Sequence, residues 1–365
     1  MRYYLIAGEA SGDTHATRLI RQLKAQDPQA QVRYHYHPQH AYMGYVAVIL
    51  HLREILQAID TCKQEITLWK PDCVILIDYP GFNLKIARYV RRNTNIPVIY
   101  YISPKIWAWK ERRINEIRRD ITTILSILPF ETQWYARHDY HAIHYVGNPT
   151  AEEIRDHLAH NPTDHATFRK HHRLDPRPVI AILPGSREQE IRQNLAPMIQ
   201  AAMHYTPRYQ IILAAAPTAD ETQLRHITGP RPVRIIRGDT YRILQHTTAA
   251  LVTSGTATLE AALLGVPQVV IYRTSHPHIA RILRPLILKT PHVSLVNLIA
   301  GKELVKELIA TDADTPHITQ ELHKILPGQA KRAGITAGYQ EIKETLGPHH
   351  TAANAARQII TLLQG

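Results

Sequence analysis

The chain opens Met1-Arg2-Tyr3-Tyr4-Leu5-Ile6-Ala7-Gly8-Glu9-Ala10-Ser11-Gly12-Asp13, and this stretch decides the fold. An apolar run ends in a turn of small residues, and a helical pattern follows over residues 13–26. That order reads as strand, tight turn, helix. No charged region precedes a long apolar run, so the start is a first strand and not a signal peptide. The order recurs at Val179-Ile180-Ala181-Ile182-Leu183-Pro184-Gly185-Ser186-Arg187, followed by a helical pattern over residues 189–205.

Working outward, short apolar runs fall at residues 3–7, 74–77, 98–102, 143–146, 179–183, 210–214, 233–237, 249–253 and 268–272. Several are unbroken Val/Ile/Leu, as strands buried on both faces should be. Helical patterns lie between most of them, for example over residues 46–69. Strands alternating with helices predict parallel sheets and an α/β fold of doubly wound, Rossmann-like domains. A chain of 365 residues predicts two of them. The polar stretch over residues 148–178, with Asp175-Pro176-Arg177-Pro178, reads as the link. The domains are placed at residues 1–165 and 166–365, with the last helix free to pack back on the first.

Composition narrows the partners. There are 43 basic and 31 acidic residues, a formal net charge of +12. That points to nucleic acid, anionic lipid or phosphorylated substrates. Cys62 and Cys73 match no metal-ligand spacing and make no disulfide framework. No stretch reaches the ~20 apolar residues of a spanning helix, so the expected protein is cytoplasmic and at most peripheral to a membrane.

In open α/β sheets, ligands bind at the carboxyl ends of strands, and four such ends stand out. The first is Gly8-Glu9-Ala10-Ser11-Gly12-Asp13, where small residues let a ligand approach the backbone and helix amides. On spacing alone, a tight strand-to-helix turn with Asp13 as N-cap is the better reading. The second is Ile77-Asp78-Tyr79-Pro80-Gly81-Phe82-Asn83, where Asp78 is placed as a general base or bonds its own turn. The third, Gly185-Ser186-Arg187, offers amides, a hydroxyl and a guanidinium to a phosphate, or caps a helix. The fourth, Ser254-Gly255-Thr256, leads to Glu260, one turn into a helix, which can accept from a ribose diol or complete a capping box. Two phosphate-type turns and a carboxylate in one half suggest a nucleotide diphosphate.

Taken together, these segments resemble the lipid-A-disaccharide synthases, glycosyltransferases of the GT-B architecture. The resemblance rests on Gly8–Asp13 (GEASGD), residues 78–83, the Ser-Pro-x-x-Trp-Ala-Trp core of residues 102–109, ILPFE at 127–131, LPGSR at 183–187, SGTATLE at 254–260 and VSLVNLIAGKELVKEL at 293–308, in family order. It implies two Rossmann-like domains facing a central cleft, acceptor-side first and UDP-sugar-binding second. It implies an inverting transfer: the 6-hydroxyl of 2,3-diacylglucosamine 1-phosphate attacks UDP-2,3-diacylglucosamine, giving a β-1,6-linked disaccharide phosphate and UDP. By position Asp78 is the base, and Arg187 with the Ser254–Thr256 turn holds the diphosphate. The substrate-binding set is Gly8, Glu9, Ser11, Gly12, Asp13, Asn83, Ser103 and Trp107, then Gly185, Ser186, Ser254, Gly255, Thr256, Glu260 and Asn297. No metal or cofactor is implied, since helix N-termini and Arg can stabilise leaving UDP. Asp312-Ala313-Asp314 has D-x-D spacing but lies outside the strand-end loops and reads as a turn.

Two departures stand against the family pattern. The segment over residues 32–43 is short and carries Arg33-Tyr34-His35-Tyr36-His37 in place of a Gly-rich stretch, and Val296 stands where proline is expected. Two basic stretches, at residues 105–113 with Trp107 and Trp109 and at 279–289 with aliphatics, suit an anionic membrane surface. No nucleic-acid motif is present. The expected location is therefore the inner face of the cytoplasmic membrane, and a homo-oligomer stays open. A UDP-N-acetylglucosamine 2-epimerase, or another UDP-sugar-dependent GT-B transferase, is the alternative.

Overall fold

A computed structural model describes residues 1–8, 10–36, 52–161, 164–274 and 290–364. The chain forms two compact units, one of Met1–Pro149 with Pro348–Gly365, the other of Thr150–Gly347. Among the described residues, each is built on a six-stranded sheet in which every pairing is parallel.

The first sheet contains β1 (Arg2–Ala7), β2 (Gln31–Tyr36), β3 (Cys73–Ile77), β4 (Val98–Tyr101), β5 (Thr123–Ser126) and β6 (Ile143–Tyr145), in the order β2-β1-β3-β4-β5-β6. Successive residues face opposite sides of the sheet. Tyr4, Ile6, Val74 and Leu76 enter one core, while Tyr3, Leu5, Cys73 and Ile75 enter the other. Burial on both faces explains why these strands read as unbroken apolar runs.

Among the described residues, the helices of this unit are α1 (Ala10–Gln26), α2 (Leu52–Trp69), α3 (Pro80–Asn93), α4 (Ile106–Trp109), α5 (Ile114–Asp120) and α6 (Pro129–Ala136). The chain's last helix, Thr351–Gln364, also belongs here. It buries Ala355, Ala356 and Ile359 in the core that holds Leu19 and Leu23 of α1. Gly147, at φ +114, lies so close to His349 that a Cβ would come within 2.5 Å of that side chain.

The second sheet contains β7 (Val179–Leu183), β8 (Gln210–Ala215), β9 (Val233–Arg237), β10 (Thr247–Thr253), β11 (Gln268–Tyr272) and β12 (Glu307–Ile309), in the order β12-β11-β10-β7-β8-β9. Counted within the unit this is the 3-2-1-4-5-6 order of a dinucleotide-type fold. Its helices include α7 (Pro149–His160), α8 (His165–His172), α9 (Glu188–Met203), α10 (Glu221–Thr228), α11 (Thr240–Gln245), α12 (Thr256–Leu263), α13 (Leu295–Ala300), α14 (Thr315–His323) and α15 (Ala330–Leu346); the last helix of the first unit is α16.

Several sequence expectations shift. The stretch over 148–178, read as a link, contains α7 and α8, which bury Ile154 and Phe168 in the cores of the second unit. The division therefore falls at Pro149, earlier than residue 165. Strands β2, β5 and β12 escaped the apolar pattern. The first and last are partly exposed sheet edges, and β5 has only Ile124 and Leu125 between Thr123 and Ser126. Asp314 caps α14 by accepting from the His317 N–H at 2.9 Å, so the D-x-D spacing marks a helix start. Glu9, residues 37–51 and residues 279–289 lie outside the described residues, and with them one predicted site residue, most of the shortened segment and the second basic stretch.

Candidate functional site

Ligands bind doubly wound sheets where the strand order reverses. In the first sheet the reversal lies between β1 and β3, and the Gly8 and Asp78 turns leave from those two strands. In the second it lies between β7 and β10, from which the Gly185–Arg187 and Ser254–Thr256 turns leave. All four chosen loops therefore occupy the expected ligand-binding ends.

In the first unit, Gly8 is obligatory. A Cβ there would lie 2.0 Å from Tyr79 Cδ1, and Tyr79 is buried. α1 starts at Ala10, so Ser11, Gly12 and Asp13 form its first turn, not a loop before it. Asp13 is thus not the N-cap; its carboxylate accepts from the Tyr34 hydroxyl at 2.7 Å. A Cβ added at Gly12 would lie 3.4 Å from the Ala7 Cβ, an ordinary van der Waals contact of helix on strand.

Asp78 and Tyr79 both adopt left-handed backbone, at φ 47 and 49. Non-glycine residues rarely do so, and such strain persists only where the surroundings over-determine it. Here they do. Asn83 Nδ2 donates to the Ile77 carbonyl at 3.2 Å and to the Asp78 carbonyl at 2.8 Å, and the Tyr100 hydroxyl also donates to the Asp78 carbonyl. Tyr100 is fully buried, and desolvation followed by the Asp78 charge pushes its hydroxyl far up, so it stays a donor. Asn83 is therefore a buttress of the strained turn.

The loop after β4 is held from within. Ser103 is buried, with Oγ 2.8 Å from the Tyr135 hydroxyl. Trp107 is buried, packs edge-on against Phe130 and donates its indole N–H to Glu131 Oε1 at 2.8 Å. Ser126 Oγ donates to the other oxygen of Glu131. Burial pushes the Glu131 carboxyl up to about 7, and the Asp78 charge adds to the rise. These bonds make Ser103 and Trp107 supports of the site more than ligand contacts. In the sequence Glu131 stands inside the ILPFE segment, and a carboxylate just inside the helix after β5 is its signal.

In the second unit, Gly185 has φ +103, and a Cβ would lie 2.4 Å from Glu190 Oε2. Glu190 accepts from the Ser186 and Arg187 amides at 3.2 and 3.4 Å and from Arg187 Nη1 at 2.9 Å. A carboxylate of the chain thus accepts from the same amides and guanidinium that the sequence reading assigned to phosphate. The turn is also the capping box of α9. Sequence reading passed over Glu190, although it stands three residues after Arg187, at the capping-box spacing.

Ser254 Oγ donates to the Val293 carbonyl at 3.3 Å, while Gly255 and Thr256 are exposed at the start of α12. Asn194 of α9 is buried and donates to Thr253 Oγ1 at 3.1 Å, joining the two turns. Glu260 is half-buried, and desolvation, with the charge of Glu153 second, pushes it up to about 7. A hydrogen-bond donor brought against this carboxylate would stabilise its charged form.

Asn297 requires a correction. Its side chain is fully buried and saturated: Nδ2 donates to the Val305 carbonyl and to Glu307 Oε1, both at 2.9 Å, and Oδ1 accepts from the Leu304 and Val305 amides at 2.9 Å. No capacity remains for a ligand. Asn297 instead fastens α13 to β12.

The family described as "Lipid-A-disaccharide synthetase" matches residues 3–360. The chain is 35% identical to the lipid-A-disaccharide synthase of Myxococcus xanthus (strain DK1622), covering 99% of this chain and 97% of that protein. It is also 35% identical to that of Syntrophus aciditrophicus (strain SB), with the same coverage. Among solved structures, the UDP-GlcNAc 2-epimerase from Neisseria meningitidis bound to UDP-GlcNAc superposes at TM-score 0.59 and 14% identity over 100% of both chains. CalG4, the calicheamicin glycosyltransferase, superposes at TM-score 0.61 and 14% identity over 100% of this chain and 98% of that one. The two structures share the GT-B fold with this chain; the sequence relatives, matched from end to end, show that it belongs to the lipid-A-disaccharide synthase family of glycosyltransferases.

Proposed function

We propose that the chain joins UDP-2,3-diacylglucosamine to 2,3-diacylglucosamine 1-phosphate with inversion, releasing UDP. The observation that carries this reading is the carboxylate-holding turn Gly185–Arg187, paired with the Ser254–Thr256 turn at the strand-order reversal of the second sheet. In this reading the UDP diphosphate displaces the Glu190 carboxylate from the Ser186 and Arg187 amides. Arg187 and the amides then stabilise charge on leaving UDP without a metal. Glu260 accepts from the ribose diol. In the first unit, Asp78, on its braced turn, takes the proton of the acceptor 6-hydroxyl. An epimerase needs no acceptor sugar, whereas the family to which the chain belongs is named for forming a disaccharide.

Action at a membrane follows from the substrates. Each buried acyl methylene is worth about 0.8 kcal/mol, so diacyl sugars stay in the bilayer and the enzyme must go to them. No helix among the described residues is long and apolar enough to cross a membrane. The +12 formal charge supports peripheral attachment to the anionic cytoplasmic leaflet. The deciding assay incubates the protein with both substrates, with and without a chelator. Disaccharide phosphate and UDP should form in both. Absence of disaccharide sinks the function, and a strict divalent requirement sinks the metal-free mechanism.

A further inference from the structure

The segment between β4 and α5 carries Lys105, Lys110, Arg112 and Arg113. Its neighbouring carboxylates are engaged elsewhere. Glu111 Oε1 lies 2.8 Å from His138 Nε2, Glu116 faces Arg88 at 3.8 Å, and Asp120 is held by Arg119 at 2.6 Å. Glu131 receives Trp107 and Ser126. Among the described residues, Lys105, Lys110 and Arg113 make no ion pair and donate no side-chain hydrogen bond.

Lys110 and Arg113 stand one tight turn apart, closed by the Arg113 N–H donating to the Lys110 carbonyl at 2.9 Å. This closed turn brings the two basic residues together on the chain. Lys110 Nζ lies 4.0 Å from the Trp109 ring centroid, and that ring is half exposed. Both cations are half-buried. Desolvation, and then the Arg113 charge, lower the Lys110 pKa. Two partly desolvated like charges with no acid between them are unfavourable alone and favourable around an anion.

Their place in the fold selects the anion. The segment leaves the carboxyl end of β4, which pairs in parallel with β3, and the Asp78 N–H at the end of β3 donates to the Tyr101 carbonyl at 3.3 Å. The cations therefore belong to the same end of the first sheet as the Asp78 turn. Both diphosphate-type turns belong to the other unit. We infer that Lys110 and Arg113, with the Trp109 ring beside them, form a subsite for a phosphomonoester, namely the 1-phosphate of the acceptor sugar. This rests on the acceptor reading proposed above. A phosphomonoester carries up to two negative charges near neutral pH and three acceptor oxygens, enough for both cations at once.

The test compares Lys110→Ala and Arg113→Ala with the unaltered chain on two acceptors: diacylglucosamine 1-phosphate and the same sugar with a free 1-hydroxyl. Each substitution should raise KM for the phosphorylated acceptor roughly 10-fold or more, as loss of a charge-assisted contact does. KM for UDP-diacylglucosamine, and turnover of the acceptor lacking phosphate, should stay within about twofold. Lys110→Arg and Arg113→Lys should recover part of the loss. Lys110→Gln and Arg113→Gln carry the test if an alanine variant melts early. Equal losses on both acceptors, an unchanged acceptor KM or a raised donor KM overturns the subsite. Reduced co-sedimentation with phosphatidylglycerol vesicles at constant acceptor KM also overturns it, since the cations then serve membrane phosphate. If the unaltered chain makes no disaccharide from either acceptor, the acceptor reading itself fails.

Discussion

Trp107 donates its indole N–H to the Glu131 carboxylate at 2.8 Å, and both side chains are buried. This bond fastens the loop after β4 to α6, which follows β5. Ser126, the last residue of β5, donates to the same carboxylate. One acidic side chain thereby sets the position of two adjacent strand-end loops beside the Asp78 turn.

The pH dependence of the first unit should report this arrangement. Glu131 is raised from its ordinary 4.5 to about 7, chiefly by burial. The folded state then holds the proton more tightly than the unfolded state. Its contribution to stability is fully present below the ordinary value and is lost as pH rises through about 7. Glu131→Gln removes that contribution to the pH slope. All four tryptophans, at positions 69, 107, 109 and 134, belong to the first unit, so their fluorescence follows its urea unfolding. Identical slopes between pH 5 and 8 in both proteins would falsify the assignment.

Asp78→Asn should lower turnover by about 10²–10⁴, the usual loss on removing a general base. UDP affinity should hold, since the assigned UDP contacts belong to the other unit. Steady-state rates and calorimetric UDP binding measure the two effects. Turnover like that of the unaltered chain removes Asp78 from the chemistry.

UDP affinity should rise with pH. Glu260 is raised to about 7 before a ligand arrives, and a ribose diol stabilises its charged form. Binding therefore releases a proton, and affinity increases as pH passes from 6 to 8. Glu260→Gln should flatten this dependence, while Arg187→Ala should weaken UDP roughly 10-fold or more at every pH. A flat pH profile in the unaltered chain would leave Glu260 without the diol role.

Asn297→Ala should cost about 2–4 kcal/mol of stability, because buried donors and acceptors lose their partners together. The folded fraction should bind UDP normally, since the Asn297 side chain is spent on Val305, Glu307 and Leu304. Thermal melts followed by circular dichroism, with UDP titration well below the transition, separate the two effects. A stable variant with poor UDP binding would restore Asn297 to the ligand-binding set.

The sequence by itself determined the parallel α/β class, since apolar runs of a strand's length between helical patterns satisfy only sheets covered on both faces. It also determined the four strand-end turns, because small residues and hydroxyls directly after such runs are a local signal. The family followed from the ordered motifs. Edge strands β2 and β12 lacked the signal because solvent replaces the core on part of their surface. Only the tertiary structure decided how polar side chains spend their hydrogen bonds. Asn297 and Trp107 read as ligand contacts until their partners, Glu307 and Glu131, came into place ten and 24 residues away. It likewise returned α16 to the first sheet, where Ala355 and Ile359 meet Leu19 across more than 300 residues of chain. A side chain's free valence depends on neighbours that folding brings together, and no pattern local to the chain encodes it.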